Sequence, residues 1–139
     1  MTGPSLILPT AIREQLIAHA KSLAPIESCG YLGGRDAKVL TFYPMTNVDN
    51  SPEHFSFDPK EQFKVVKEAR NSGETLLAVY HSHPKTPARL SEEDVRLFND
   101  PNIIYIIVSL AEDLPSIQGY TVKKPSDTEI EVSRVTLSE

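Results

Sequence analysis

The chain has 139 residues, 40% of them hydrophobic and 24% charged, which is the size of a single domain with one core and too short for two. Its formal charge of −5, with lysine and arginine scattered along the chain, excludes the cationic surface that nucleic acid requires. No apolar run approaches the roughly 20 residues of a membrane span, and no basic leader precedes an apolar segment, so we expect a cytoplasmic protein without a membrane anchor.

The first half of the chain predicts two helices and three strands. After a short tail, apolar residues recur on one helical face from Thr10 to Leu23, and Pro25 ends that helix. The segments GYLGG (30–34) and KVLTFYPM (38–45) predict a hairpin whose turn contains Gly33, Gly34, Arg35 and Asp36. HFSF (54–57) predicts a short strand, and Asp58 followed by proline predicts a helix that reaches about Asn71 before the stop signal Gly73.

The second half predicts one short helix among four strands. TLLAVYHSH (75–83) and NIIYIIVSL (102–110) are typical of buried strands, and Ser91 to Phe98 predicts a short helix between them. IQGYTVKK (117–124) and EIEVSRVTL (129–137) predict a hairpin around the turn KPSD (124–127). The expected fold is therefore one α/β domain over residues 1–139, with a central mixed or mostly antiparallel sheet and helices on both faces.

Two histidines, His81 and His83, stand one residue apart at the end of a predicted strand. Alternate residues of a strand point to the same side, so both imidazoles would face one point from positions roughly 6–7 Å apart along the backbone. Zn²⁺ favours imidazole nitrogen and carboxylate oxygen, and a catalytic zinc keeps three protein ligands and one water. The single cysteine, Cys29, excludes a site built on several thiolates. The alternative is an H-x-H pair that ends a surface strand by chance.

Asp94 is the candidate third ligand. It lies in the first turn of the predicted third helix, after a connection of ten residues that is long enough to fold back over the strand end. Its alternative role is structural, because Ser91 and Asp94 also have the spacing of a capping box.

Glu27 is the candidate proton-transfer group. A zinc-bound water with its pKa lowered to about 7 is most useful when a neighbouring carboxylate can move its proton to a leaving amine. Glu27 stands among small and apolar neighbours in PIESCGYLGG (25–34). A solvated carboxylate at the end of the first helix is the alternative, and spacing alone does not bring Glu27 to His81.

These residues together resemble the JAMM motif of MPN-domain metalloproteases, written E…H-(S/T)-H-x7-S-x2-D, and every specified position matches. The resemblance implies a cytidine-deaminase-like three-layer fold with Zn²⁺ held by His81, His83 and Asp94. It further implies that Glu27 acts as general base and then general acid. Ser91 would hold the water or stabilise the oxyanion, and its alternative role is the helix cap.

The same resemblance implies a substrate. Family members cleave peptide or isopeptide bonds that follow the Gly-Gly tail of ubiquitin or ubiquitin-like proteins, and an extended diglycine tail can pair with a sheet edge. ESCGYLGG (27–34) and the absence of long insertions after Asp94 resemble the short, stand-alone prokaryotic branch, which processes ubiquitin-like sulfur-carrier proteins. A deubiquitinase-like isopeptidase and a non-catalytic MPN scaffold are the alternatives, and the sequence leaves the oligomeric state open.

Two other metal chemistries are alternatives to a zinc peptidase. A zinc nucleoside deaminase requires a P-C-x-x-C pair, which a chain with one cysteine lacks. A non-haem iron site also uses two histidines and a carboxylate, but it requires neither Glu27 nor Ser91.

The remaining polar residues are assigned supporting or structural roles. His19 and His54 are interpreted as non-ligands, and Cys29 as a small buried hydrophobe, with an oxidation-sensitive thiol as its alternative. Residues 85–89 are expected to form a loop over the site, with Arg89 solvated.

Overall fold

The computed structural model describes residues 3–139, and residues 1 and 2 of the predicted tail lie outside that range. Within residues 3–139, seven strands and three helices follow one another along the chain. In order they are β1 Ser5–Ile7, α1 Thr10–Leu23, β2 Cys29–Arg35, β3 Lys38–Met45, α2 Pro59–Asn71, β4 Thr75–His83, α3 Glu92–Leu97, β5 Ile104–Ser109, β6 Ser116–Ser126 and β7 Glu129–Ser138.

The strands form one sheet in the order β1-β3-β2-β4-β5-β6-β7, which closes because β1 also pairs with β7. The pairs β1–β3, β1–β7 and β4–β5 are parallel and the others antiparallel, so the predicted mixed sheet is confirmed. The predicted short tail before Thr10 contains a strand, β1, that was not expected. Its three strand residues are too few to show a pattern, and they are ordered by distant partners, as in the pairing of Leu6 with Leu137.

Helices cover both faces of the sheet, as predicted. On one face Ile12, Leu16 and Ala20 of α1 pack against a cluster that includes Tyr80 of β4. On the other face Val65 and Ala69 of α2, with Phe98 at the end of α3, pack against a second cluster. The two histidines of β4 lie on this second face, because they alternate with Tyr80 along the strand.

The predicted strand HFSF was wrong. Only an isolated bridge between Asn47 and Phe57 is found there, because the segment has no extended ladder partner; Phe55 and Phe57 pack as a ring pair with centroids 5.5 Å apart. This segment instead forms part of a loop beside the histidines.

The two hairpin turns also lie slightly away from their predicted places. The first uses Asp36 and Ala37, both with positive φ, while the glycines stay inside β2. Gly34 is required there for close approach, since a Cβ at that position would lie 1.9 Å from the carbonyl oxygen of Lys38. The second turn falls after Ser126, because β6 extends through most of the predicted turn.

Within residues 3–139, none of the helices combines the length and the apolar character needed to cross a membrane.

Candidate metal centre

The imidazoles of His81 and His83 converge at the end of β4, a strand that lies between β2 and β5. His81 pairs with Cys29 on one side and with Ile107 on the other, so its backbone is held by both neighbouring strands. Both side chains are buried, and their Nε2 atoms lie 3.0 Å apart. The predicted side-by-side placement of the two rings on one face is therefore what the structure shows.

Helix α3 brings Asp94 to the same point. Its Oδ2 atom lies 3.3 Å from Nε2 of His81 and 3.2 Å from Nε2 of His83. Ser91 caps the helix by accepting a hydrogen bond from the Asp94 amide, while Oδ2 of Asp94 accepts one from the Ser91 amide. The capping box and the convergence on the histidines thus coexist, and both use the same carboxylate oxygen.

The loop between β4 and α3 is fixed by three hydrogen bonds to its carbonyl groups. Nδ1 of His83 bonds Pro87 O at 2.9 Å, the Ser109 hydroxyl donates to Thr86 O at 2.6 Å, and the Tyr120 hydroxyl donates to Ala88 O at 2.7 Å. These contacts hold the start of α3 over the end of β4, which explains how Asp94 reaches His83 across the intervening loop.

Burial and hydrogen bonding set the charges of the three side chains. Burial lowers the pKa of His81 below its ordinary value, and Asp94 opposes this only in part. For His83 burial also acts to lower the pKa, but the hydrogen bonds to Asp94 and Pro87 outweigh it and the pKa is raised. Burial acts to raise the pKa of Asp94, yet the two imidazoles hold it well below its usual range, so this carboxylate stays ionised.

The three donors fit a divalent transition metal. Their ligand atoms all lie within 4.8 Å of one another, and the donor separations of 3.0, 3.2 and 3.3 Å approach the ~3.3 Å that tetrahedral ligands about 2.05 Å from zinc would show. The Pro87 carbonyl accepts the Nδ1 proton of His83, which leaves the Nε2 lone pair free for a metal. Two imidazole nitrogens and one carboxylate oxygen converge at these distances, and this is an arrangement that a bound cation would stabilise.

Glu27 lies in the short segment between α1 and β2 and is buried, with only 4% of its surface exposed. Its Oε1 atom has no hydrogen-bond partner within residues 3–139. Burial raises the pKa of Glu27 to about 8; His83 opposes that shift, while Asp94 and the half-buried Glu93 add to it. Glu27 and His83 line one cavity, so this buried carboxyl lies beside the donor cluster, and the solvated alternative does not describe its position.

A cavity of about 610 Å³ joins these groups, and Glu27, His83 and Ser91 line it together with Lys85 and Thr86. A second, more aromatic cavity of about 340 Å³ adjoins it, since His54 and Glu93 line both. Asp94 lines the aromatic cavity. The donor cluster therefore lies where the two cavities meet.

Two supporting residues were not predicted from the sequence. Ser82, between the histidines, accepts a hydrogen bond from the Ser28 amide at 2.8 Å and returns one from its own amide to Ser28 O at 3.0 Å. This reciprocal pair fixes the segment after Glu27 against β4. Phe55 stacks on the His81 ring at 4.9 Å and so excludes water from it. The serine of the H-(S/T)-H motif could have indicated a role for Ser82, whereas no local pattern indicated a role for Phe55.

The two histidines interpreted as non-ligands, His19 and His54, lie outside the cluster of metal-donor side chains. His19 contacts the Tyr80 hydroxyl on the opposite face of the sheet, and His54 is exposed and bonded to Asp49. Cys29 is a buried free thiol, and burial raises its pKa to about 12. Lys85 and Thr86 of the predicted loop line the larger cavity, while Arg89 is exposed.

The raised pKa of Glu27 predicts a pH dependence of stability in the metal-free protein. Because the folded state holds this proton more tightly than the unfolded state, Glu27 does not destabilise the fold below pH 4.5 and destabilises it increasingly as the pH rises towards 8. Replacing Glu27→Gln should therefore raise the free energy of unfolding at pH 8 by about 1–3 kcal/mol and change it much less at pH 5. Urea unfolding of both proteins in chelator measures this difference, and an equal effect at both pH values would contradict it.

The fold and the converging donors define a mixed α/β domain with the ligand set of a metal site. Residues 9–122 match the family model described as prokaryotic homologs of the JAB domain. The chain belongs to this family, and its fold is the mixed α/β fold of JAMM/MPN proteins. The resemblance inferred from the motif is thereby confirmed.

Two curated relatives are named as a peptidase and a protease. The chain is 34% identical over 106 residues to the CysO-cysteine peptidase of Mycobacterium tuberculosis, which covers 75% of this chain and 73% of that protein. It is 38% identical over 95 residues to the probable TtuB-protein conjugate cleaving protease of Thermus thermophilus, covering 68% of this chain and 64% of that protein. These relatives support a hydrolase.

A solved structure shares the fold over nearly the whole chain. The solution structure of protein DSY2949 from Desulfitobacterium hafniense superposes with a TM-score of 0.82 at 42% sequence identity, covering 96% of this chain and 93% of that one. The arrangement of strands and helices described above is therefore one that a close relative also adopts.

Proposed function

We propose that this chain is a single-domain, zinc-dependent peptidase that hydrolyses the amide bond after the C-terminal Gly-Gly tail of a ubiquitin-like sulfur-carrier protein. The observation that carries the proposal is the convergence of two imidazoles and a carboxylate beside the buried carboxyl of Glu27. The names of the peptidase relatives support the reaction class. The fold class we propose is cytidine-deaminase-like, which the three layers with helices on both faces support.

His81, His83 and Asp94 would hold the ion through Nε2, Nε2 and Oδ2. When bound, zinc supplies a Lewis acid that polarises a carbonyl and lowers the pKa of water to about 7. The hydrogen bond of His83 to Pro87 and the cap of Ser91 on Asp94 orient two of these ligands before any ion arrives. A non-haem iron site is the alternative for this donor set, and metal analysis distinguishes the two.

Glu27 would move the proton. Its pKa near 8 suits a group that takes a proton from attacking water and returns it to the leaving amine near neutral pH, because a catalytic pKa close to the working pH serves both directions. Ser91 lines the same cavity, and its hydroxyl oxygen accepts the cap bond from Asp94, so the hydroxyl proton is available to an oxyanion. We assign Ser91 this second role beside its role as helix cap.

The substrate class rests on the relatives and on the shape of the site. The two relatives are named for a CysO-cysteine substrate and for conjugates of TtuB protein. A diglycine lacks side chains, so an extended tail would pass the junction between the two cavities with little steric cost. Cleavage of isopeptide bonds in conjugates is the second candidate, and the relative named for conjugate cleavage favours it.

Intact-mass spectrometry of extended carrier proteins tests the proposal. Ubiquitin-like sulfur carriers carrying residues beyond the terminal diglycine are incubated with the protein, with chelator, and with chelator followed by excess Zn²⁺. We expect loss of the extension's mass only where zinc is present, and no loss from a carrier whose last glycine is replaced by valine. Full zinc occupancy without cleavage of any fusion or isopeptide conjugate would instead favour the scaffold alternative.

A further inference from the structure

A loop beside the site, residues 48–57, is organised by the side chain that precedes it. This side chain, Asn47, lies two residues after the end of β3 and is buried, with 7% of its surface exposed. We refer to residues 48–57 as the flanking loop. No local pattern indicated a role for Asn47, and it is neither one of the proposed metal ligands nor part of the proton-transfer step.

Both the oxygen and the nitrogen of the Asn47 side-chain amide form hydrogen bonds with the flanking loop. Its Oδ1 atom accepts hydrogen bonds from the amides of Asp49 at 3.0 Å and Ser56 at 3.2 Å. Its Nδ2 atom donates to His54 O at 3.0 Å, with Ser51 O further away at 3.5 Å. One side chain therefore ties the beginning, middle and end of the loop together.

The same amide nitrogen also bonds Glu27. Nδ2 of Asn47 donates to the carbonyl oxygen of Glu27 at 3.0 Å, and the Glu27 amide donates to Ser51 O of the flanking loop at 2.9 Å. Both backbone polar groups of Glu27 are thus bonded to the unit formed by Asn47 and its loop. Oε1 of Glu27 has no hydrogen-bond partner within residues 3–139, so the hydrogen bonds of its backbone are the polar contacts that anchor this residue.

The flanking loop in turn supplies part of the site. Phe55 stacks on the His81 ring, and Pro52, Glu53 and His54 line the larger cavity with Glu27. A change at Asn47 would therefore move the proton-transfer carboxyl and one cavity wall together. It would leave the β2–β4–β5 ladder that holds His81 in place.

We infer that Asn47 is a positioning residue that sets the Glu27 carboxyl in reach of the reacting atoms by bonding the Glu27 backbone to the flanking loop. This inference rests on the proposed function of Glu27. An asparagine suits the position because its amide offers two N–H donors to carbonyl oxygens and one acceptor to backbone amides, and aspartate would lack the donors. Small misplacements of a catalytic group cost up to about 100-fold in rate.

A double-mutant cycle on kcat tests the inference with the zinc-loaded protein. We expect Asn47→Ala to lower kcat about 10- to 100-fold when Glu27 is present, and less than about 3-fold when it is combined with Glu27→Gln. Asn47→Asp keeps the size and the Oδ1 acceptor but removes the donors, and it should show the same pattern. Asn71→Ala, at the exposed end of α2, is the matched control and should stay within about 2-fold of wild type. Equal losses in both backgrounds would overturn the inference.

Amide hydrogen exchange of the metal-free protein gives a readout independent of catalysis. Asn47→Ala should speed exchange at the amides of Glu27, Asp49 and Ser56 more than about 10-fold, with Ile107 of β5 unchanged. If that variant does not fold, Asn47→Asp replaces it; this variant keeps the Oδ1 acceptor of the Asp49 and Ser56 amides and should speed exchange at Glu27 only. Unchanged exchange at Glu27 would overturn the inference. A wild-type protein that cleaves no substrate would instead contradict the proposed function, and the exchange result would still decide the role of Asn47.

Discussion

Replacing Glu27→Gln should lower kcat by about 10²- to 10⁴-fold while zinc stays bound. Glutamine matches glutamate in size but cannot accept and return a proton. The variant should fold, because burial already favours the neutral form of Glu27 and a neutral amide replaces it without a new buried charge. Single-turnover cleavage of an extended carrier, with zinc content measured on the same sample, provides the test.

Glu53→Gln is the matched control for this substitution. Glu53 is an exposed carboxylate on the wall of the same cavity, so its replacement makes the same carboxyl-to-amide change without removing the buried proton carrier. We expect less than about 3-fold loss of kcat from Glu53→Gln. Similar losses in the two variants would show that cavity charge, and not proton transfer by Glu27, supports the rate.

Replacing His81→Ala or Asp94→Asn should abolish zinc binding and with it all cleavage. Loss of residues that merely orient a ligand already costs 10- to 100-fold in metal affinity, so loss of a direct ligand should cost more than about 100-fold. Bound zinc should then fall from about one ion per chain to less than about a tenth after dialysis at micromolar protein. Asp94→Asn is the gentler change, because its side-chain oxygen can still accept the hydrogen bond from Ser91.

His54→Ala is the control for the ligand variants. This histidine is exposed beside the site and is bonded to Asp49 outside the donor cluster. Zinc content should stay near one ion per chain in His54→Ala. Retention of zinc by Asp94→Asn together with loss in His54→Ala would contradict the assigned ligand set.

The elements with strong local signals were predicted almost to the residue. Asp58 and Pro59 begin α2 as expected, with the Asp58 side chain accepting from the Lys60 amide, and the apolar stripe of α1 runs from Thr10 to Leu23. The alternation along β4 placed both histidines on one face. These features succeed because a cap or a periodic stripe is encoded within a few neighbouring residues.

Features that depend on distant partners could not be predicted in the same way. β1 forms because it pairs in parallel with β7, more than 120 residues away in the chain. The 54–57 segment has no ladder partner and forms no strand, and its two phenylalanine rings pack against each other. At the site, Asp94 could be predicted as a candidate ligand because it lies in the first turn of α3, after a connection long enough to fold back over the end of β4. The burial of Glu27 and the bonds of Asn47 across 20 residues depend on tertiary contacts that no local pattern encodes.

The most direct measurement is anomalous diffraction at the zinc absorption edge from crystals of the zinc-loaded protein. We expect one peak per chain, about 2.0–2.2 Å from Nε2 of His81, Nε2 of His83 and Oδ2 of Asp94. We further expect the Glu27 carboxyl beside that peak, outside the ligand shell. A peak at another site, or none at full zinc loading, would contradict the claim that these three side chains form the metal centre.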